Sequence, residues 1–438
     1  MQQTASPSVA IIGSGMAGLS AARLLKDAGF DVTIYEALPG RGMDSHSLHM
    51  DGGIIDAPLR VMNPSVWPNT LALAAYMDVP VFKVRTFMSC NWLEQDQRLN
   101  NWFKSRRTSL GNLPTLASLR YINQTSLSVL KGFFQFRQAL KQFKHSPHQE
   151  MSLADFHMQH AIEPLFWYGI LLPVINTICT CEPQHIGKWP AKPILDFVNK
   201  LMQGEALLRL QGGTSALVNA LIQDIPVISG AKVTTVEYQQ QQALVRNERG
   251  QQGLYDYVIV ATPTTHLGFL NAAQFRQELQ LLQQFKFDQG RLVIHRDKRF
   301  MPCQKADWTV LNYSMDTVFS QQMFTVWMNA IEPTLANKTD MFQTWNPVFE
   351  PDASQVISSV WLSRAIVDSH TAALIQQVKH LQQNPERRVF FCGSWLCDGL
   401  PILESAVTSA MWVVKQLGVH PDFAGQKPRM VKAAGLPR

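Results

Sequence analysis

Gly13-Ser14-Gly15-Met16-Ala17-Gly18 follows the apolar run Val9 to Ile12 and precedes a stretch in which Leu19, Ala22, Leu25 and Lys26 recur with helical spacing. Glycine at the first, third and sixth places suits a backbone that must turn tightly, approach a pyrophosphate and let a helix lie close on a strand, in that order. The helix start then presents unbonded N–H groups and the positive end of its dipole to phosphate. Beyond Gly29, Asp31 to Tyr35 reads as a second strand, and Glu36 stands at its end, where a carboxylate can accept from both hydroxyls of an adenosine ribose. This order of strand, turn, helix, strand and carboxylate points to a dinucleotide, against the alternative of a glycine turn without a ligand. It does not separate NAD from FAD. No Ser/His/Asp set and no pair of carboxylates stands out elsewhere. Cys90, Cys179, Cys181, Cys303, Cys392 and Cys397 lack CxxC spacing, which indicates neither a zinc site nor a disulfide framework and fits reduced thiols inside a cell.

The elements that position such a turn need a large chain around them. With 438 residues, 46% hydrophobic and 16% charged, the chain has apolar material for two cores and no compositional case for disorder. A formal charge of +6 is too small, without clustering, to indicate nucleic acid. Met1 to Ser8 carry no basic start of a signal peptide, so a cytoplasmic protein is expected. Pro164 to Cys181 is free of charge, but Pro164, Pro173 and Asn176 interrupt it, so a buried helix with its exit loop is expected ahead of a membrane-dipping element. Segment 104 to 148 carries Lys104, Arg106, Arg107, Arg120, Lys131, Arg137, Lys141 and Lys144 with no Asp or Glu. Its helical apolar positions Leu127, Leu130, Phe133, Phe134 and Phe136 leave two readings, a solvated basic face on a core helix or peripheral contact with an anionic membrane.

Five further segments carry a likeness that extends over nearly the whole chain. They are ALPGRGMDSHSL (Ala37 to Leu48) with HMDGGIIDAPLRVMN (His49 to Asn63), LQGGTSALVNAL (Leu210 to Leu221), Val227 to Val236, YDYVIVATP (Tyr255 to Pro263), and FFCGSW with GLPILESAVTSAMWVVKQL ending at Leu417. In order and spacing the chain resembles the flavin-containing amine oxidase superfamily. Within it, GMDSHSL, Trp67-Pro68-Asn69, the stretch Phe287 to Tyr313 and Val326 to Asn329 with Trp345-Asn346-Pro347 are similar to a bacterial group of FAD-dependent oxidoreductases that includes pyrroline-oxidising enzymes.

The resemblance implies an α/β fold: a Rossmann-like FAD-binding domain from 1–88, 205–270 and 385–420, an inserted mixed α+β substrate domain from 89–204 and 271–384, and a tail at 421–438. It implies non-covalent FAD held by Gly13, Ser14, Gly15, Met16, Ala17, Gly18, Glu36, Ala37, Arg41, Gly42, Pro58, Leu59, Arg60, Val61, Val233, Ala261, Thr262, Gly393, Ser394, Leu403 and Glu404. His46 and Arg60 lie on segments that the family places near the flavin and are the catalytic candidates, His46 also fitting a loop-stabilising donor. Asp56 beside Pro58 fits a turn cap as well as a proton carrier. No metal is implied, and Cys392 and Cys397 fit structural thiols.

The chain departs from the better-known amine oxidases in three places. Gly-Gly-Arg of the pyrophosphate loop becomes Gly42-Met43-Asp44, with Arg41 displaced; the aromatic wall of the amine site becomes Ile402; and no flavin-side lysine stands out among Lys286, Lys298 and Lys305. Trp167, Tyr168, Leu172, His295, Met328, Trp345 and Trp361 are candidates for an apolar substrate cavity, with core packing as the alternative for each. The implied chemistry is a two-electron oxidation of a hydrophobic small molecule, hydride passing to flavin N5 from carbon next to nitrogen in an alkyl cyclic amine, with dioxygen or another acceptor. Desaturation of a lipid or polyene, and a flavin-binding partner protein without turnover, are the alternatives.

Overall fold

The computed structural model describes residues 6–107, 114–116, 123–145, 150–202 and 206–433. Arg120, residues 1–5 and 434–438, and the side chains of Arg106 and Arg107 lie outside the described residues. The fold is α/β, as expected. Five parallel strands form one sheet in the order Val227–Ser229, Asp31–Glu36, Ser8–Ile12, Tyr257–Val260, Val389–Phe391. Val9, Ile11, Val32, Ile34 and Val258 to Val260 are fully buried, as strands covered on both faces must be.

Helix Met16–Asp27 covers one face and is apolar around most of its circumference, because helix Leu403–Gln416 packs on its other side. A three-stranded antiparallel sheet, Val233–Gln239, Gln242–Asn247 and Gln252–Tyr255, lies against the strands Ser8–Ile12 and Tyr257–Val260.

The second large sheet has eight strands, ordered Val356–Ala365, Phe287–His295, Phe342–Trp345, Gln322–Trp327, Leu311–Met315, Met88–Leu93, Leu99–Arg107, Pro114–Leu116. Antiparallel pairing of Phe287–His295 with Val356–Ala365 sets Gly290 opposite Leu362 and Asp288 opposite Arg364. Side chains alternate between faces, so Gly290, Leu292, Leu362 and Arg364 share one side. Trp361 lies on the other and is 66% exposed, which removes it from the cavity candidates.

Pro164 to Cys181 folds as a helical run whose middle, Trp167–Leu171, widens to a π turn ahead of Pro173. Phe166, Trp167, Leu171, Leu172, Ile175 and Cys179 are buried, which is the expected core helix. Among the described residues no helix is long and apolar enough to cross a membrane. Helix Gln124–Lys144 is started by Asn123, whose side chain accepts from Ser126 N at 3.0 Å. It lies close on Pro164–Phe166, since a Cβ at Gly132 would stand 2.3 Å from the Phe166 Cβ. Phe136 is buried, whereas Leu127, Leu130 and Phe134 are exposed.

Candidate active site

The glycine turn takes its shape from contacts that exclude side chains. Gly13 has φ +101 and donates its N–H to Tyr35 O at 2.8 Å. A Cβ at Gly18 would lie 2.0 Å from Gly13 O and 3.1 Å from the Ala261 Cβ, so the helix can approach the strands only with glycine there. At Gly15 the direction of a Cβ meets nothing within 4 Å. Gly15 is also the N-cap of Met16–Asp27 and supplies no side-chain cap, so the first N–H groups of the helix face that space unpaired by a cap. Room at Gly15 beside a helix N-terminus is what a pyrophosphate requires. The Thr262 hydroxyl, across the turn with its Cγ2 3.3 Å from a Gly13 Cβ, is buried without a hydrogen-bond partner. The donor set and the space fit FAD.

Glu36, buried at the end of its strand, fixes this cradle. One carboxylate oxygen accepts from Ser14 N at 2.9 Å and Ser14 Oγ at 2.6 Å, and the other from Leu38 N at 2.9 Å. Gly42 N donates to Ser14 Oγ at 2.7 Å, and a Cβ at Gly42 would come 2.5 Å from Glu36, so the loop after Ala37 closes on the carboxylate through a glycine. Met16 and Ala17 are buried, and Val233 is buried opposite Asn247. At the far edge, Ala261 N donates to Ile12 O, Trp395 Nε1 donates to Thr262 O at 3.2 Å, and Gly393 N donates to Ser409 Oγ at 3.1 Å. Ser394 and Leu403 follow at the starts of the next two helical turns.

Three residues marked out in the sequence prove to have protein partners. Arg41 binds Asp44 and Asn219. Glu404 caps helix Pro68–Tyr76, accepting from Asn69 N, Thr70 N and Thr70 Oγ1 at 2.9 Å each. Asp56 caps a second helix, as its place beside Pro58 allowed: it accepts from Thr214 N at 2.8 Å, while its other oxygen accepts from Arg209 at 3.0 Å.

These contacts join the cradle to the large sheet. Arg41 reaches helix Gly213–Leu221 at Asn219, the start of that helix rests on Asp56, and Gln343 clamps the next residues by donating to Asp56 O at 2.8 Å and accepting from Leu59 N at 2.7 Å. Leu292, Ile294, Val326, Met328 and Trp345 then pack with Ile55, Ala57, Leu59 and Val61 as one apolar cluster. Pro58, preceded by a cis bond, and Arg60 lie on this same segment.

Beneath it Arg209, fully buried, pairs with Asp56 and at 2.6 Å with Glu332. Neither Arg209, Gln343 nor Glu332 was singled out in the sequence. The one available signal was a lone arginine within the apolar strand Leu207–Leu210.

Of the catalytic candidates, His46 is half-buried in the loop after Asp44, and burial lowers its pKa. Burial and the nearby positive charge of Arg364 lower the pKa of Arg60 to about 10, with Asp56 acting in the opposite sense. Lys286, Lys298 and Lys305 are exposed and pair with Asp368 or Asp340. His295 is wholly buried, bonded through Nε2 to Thr344 Oγ1 at 2.8 Å, and burial lowers its pKa to about 4. Trp167 stacks on His157, and Met328 lies in the sheet core. Among the described residues no cluster of His, Cys, Asp or Glu is placed to hold a metal ion.

The family model of flavin containing amine oxidoreductases matches residues 16–417. Lysine-specific histone demethylase 1 homolog 2 of Oryza sativa subsp. japonica is 26% identical over 288 residues, 64% of this chain, and the aligned part spans 34% of that relative's length. The fold is similar to that of a CLA-producing fatty acid isomerase from P. acnes, with a TM-score of 0.64 and 15% identity over 94% of this chain and 99% of that one. It is similar also to putrescine oxidase bound to putrescine, with a TM-score of 0.63 and 13% identity over 94% of this chain and 99% of that one.

Proposed function

Because the chain belongs to the family of flavin-containing amine oxidoreductases and is an FAD-dependent oxidoreductase, we propose that it oxidises a C–N bond in a hydrophobic small molecule, an alkyl cyclic amine of the pyrroline type, with dioxygen as acceptor. The observation that carries this reading is the apolar sheet face, Leu292, Met328 and Trp345, set directly against the Ile55–Val61 segment that Asp56 and Gln343 tie to the cradle. FAD, held without a covalent bond by the glycine turn, Glu36 and the strand ends at Ala261 and Gly393, supplies a two-electron acceptor. The chain's own part is to orient the substrate C–H, exclude water with the apolar face and keep Asp56 engaged with Arg209 and Thr214, away from proton transfer. A neutral amine requires no strong side-chain base, and the buried carboxylates of this region are all committed to protein partners.

A lipid or polyene is the second reading. It is supported by Leu127, Leu130 and Phe134, exposed on helix Gln124–Lys144 beside Lys131, Arg137 and Lys141, a face suited to peripheral contact with an anionic membrane.

The test is the visible spectrum of the purified protein before and after acid precipitation, followed by anaerobic addition of cyclic amines and of lipid alkenes. Flavin released by acid and bleached by a cyclic amine is expected; bleaching by alkenes alone would replace the amine reading with desaturation.

A further inference from the structure

Arg60 stands between Leu59 and Val61, and Arg364 two residues beyond Leu362, so segments 304 residues apart bring both arginines to the apolar cluster around Trp345, near enough for the charge of one to act on the other. Both guanidinium groups are enclosed by protein, and neither residue is wholly buried. Each lacks a carboxylate partner among the described residues. Arg364 donates from Nε to Thr180 Oγ1 at 2.6 Å and lies 5.7 Å from the Trp345 ring centre, with no described partner for its two terminal nitrogens.

The Arg60 side chain has no described hydrogen bond, and its Nε is buried and unpaired. Trp345 Nε1, also buried, is unpaired as well. Two cations and two orphaned donors therefore share one apolar wall.

The neighbouring acids are already engaged. Asp56 is held by Arg209 and Thr214 N, and Glu332 by Arg209. Asp288, directly across the strand pair from Arg364, accepts instead from Glu182 N at 2.9 Å, lies 2.9 Å from His185 Nδ1 and accepts from Gln289 N at 2.8 Å. Cys181 stays a neutral thiol, since burial raises its pKa to about 12. Across these side chains, Arg60, Arg209 and Arg364 face Asp56 and Glu332, which leaves one positive charge uncompensated. Buried donors and buried charge without partners are costly, and an anionic acceptor would relieve both costs together.

Resting on the oxidative reading above, we propose that the substrate carries a carboxylate, which Arg60 and Arg364 hold against Trp345 while the apolar remainder lies along the sheet. The uncapped helix start at Gly15 offers its own N–H donors to the phosphates of the cofactor, and the anion proposed for the two arginines is a different one. Guanidinium groups suit this role because they stay charged when buried and bind carboxylates through paired N–H donors.

The test uses the FAD-loaded full chain titrated with octanoate, octanamide and octylamine while the flavin absorption bands are followed. Octanoate is expected to perturb the bands saturably and to bind about tenfold or more tightly than octanamide. Arg364→Met should remove that preference at unchanged flavin content, and Arg364→Lys should restore part of it. Equal binding of octanoate and octanamide, or no binding of octanoate, would overturn the proposal. So would loss of flavin from Arg364→Met, because the anion would then belong to the cofactor. The wild-type comparison requires no variant and stands even if Arg364→Met fails to fold. Failure of the oxidative reading appears elsewhere, as flavin that neither amine nor alkene bleaches, since the preference for octanoate is read without turnover.

Discussion

Between Ser8 and Gly42 the site is made largely of main chain, and between Asp56 and Arg364 it is made of side chains. On the first side the groups lie within one strand-turn-helix-strand unit, and glycine at Gly13, Gly18 and Gly42 is required by space: each faces another backbone or a carboxylate at close range. On the second side Arg60 comes from a loop, Arg209 and Arg364 from two separate strands, and Gln343 with Trp345 from a third, so each position depends on how these segments pack together. A backbone cradle tolerates little variation at its glycines. A side-chain wall can change its chemistry while the fold persists, and the proposed substrate contacts lie on that wall.

Variants that separate the two sides sharpen this contrast, and the largest effect belongs to the cradle. Gly18→Ala places a Cβ 2.0 Å from Gly13 O, where neither backbone segment can give way, so purified protein should contain no flavin. Glu36→Ala frees the donors of Ser14 and Leu38 and should likewise empty the site; flavin content measured by absorbance checks both, and retention by Glu36→Ala would remove the ribose assignment. Next is Arg209→Met, which strands Asp56 and Glu332 in the interior and should cost about 3–5 kcal/mol in denaturant unfolding.

His295 tests the sheet by pH. Its folded pKa of about 4 lies below its ordinary 6.5, so the folded state disfavours the proton. The stability it contributes is complete above pH 6.5 and is lost as pH falls towards 4, an effect of about 3 kcal/mol. His295→Gln should flatten that part of the stability profile, and an unchanged profile would show that another group titrates. The smallest effect is expected from Gly290→Ala, whose Cβ would stand 2.1 Å from the Trp345 ring. Displacing that ring should cost about 1–3 kcal/mol and alter substrate affinity while leaving flavin content intact. Loss of flavin in this variant would show that the two sides are not separable.

The same division governs how much was legible beforehand. The turn at Gly13 to Gly18 and the carboxylate of Glu36 could be placed from spacing, because local backbone geometry dictates both. The resemblance brought in Ala261, Thr262 and Gly393, and each lies at the rim of the cradle. Arg41 and Glu404 illustrate the limit: their positions followed from the sequence, but their partners, Asp44 with Asn219 and the start of helix Pro68–Tyr76, depend on contacts between segments. Trp361 was set among the cavity candidates because aromatic character says nothing about which face of a strand is inside. Alternation puts Trp361 and Arg364 on opposite faces, and only the sheet's packing against Ile55–Val61 decides that Arg364 is the one enclosed.

By itself the sequence determined the dinucleotide turn, the α/β fold class through its family likeness, and the buried course of Pro164 to Cys181, since each depends on periodicity or on motifs read along the chain. Tertiary structure alone decided that Asp56 is held by Arg209, that Gln343 fastens the Ile55–Val61 segment, and that Arg60 and Arg364 come near each other with no carboxylate bonded to either among the described residues. Charge compensation is a property of neighbours in space, and residues separated by hundreds of positions become neighbours only when the sheets close.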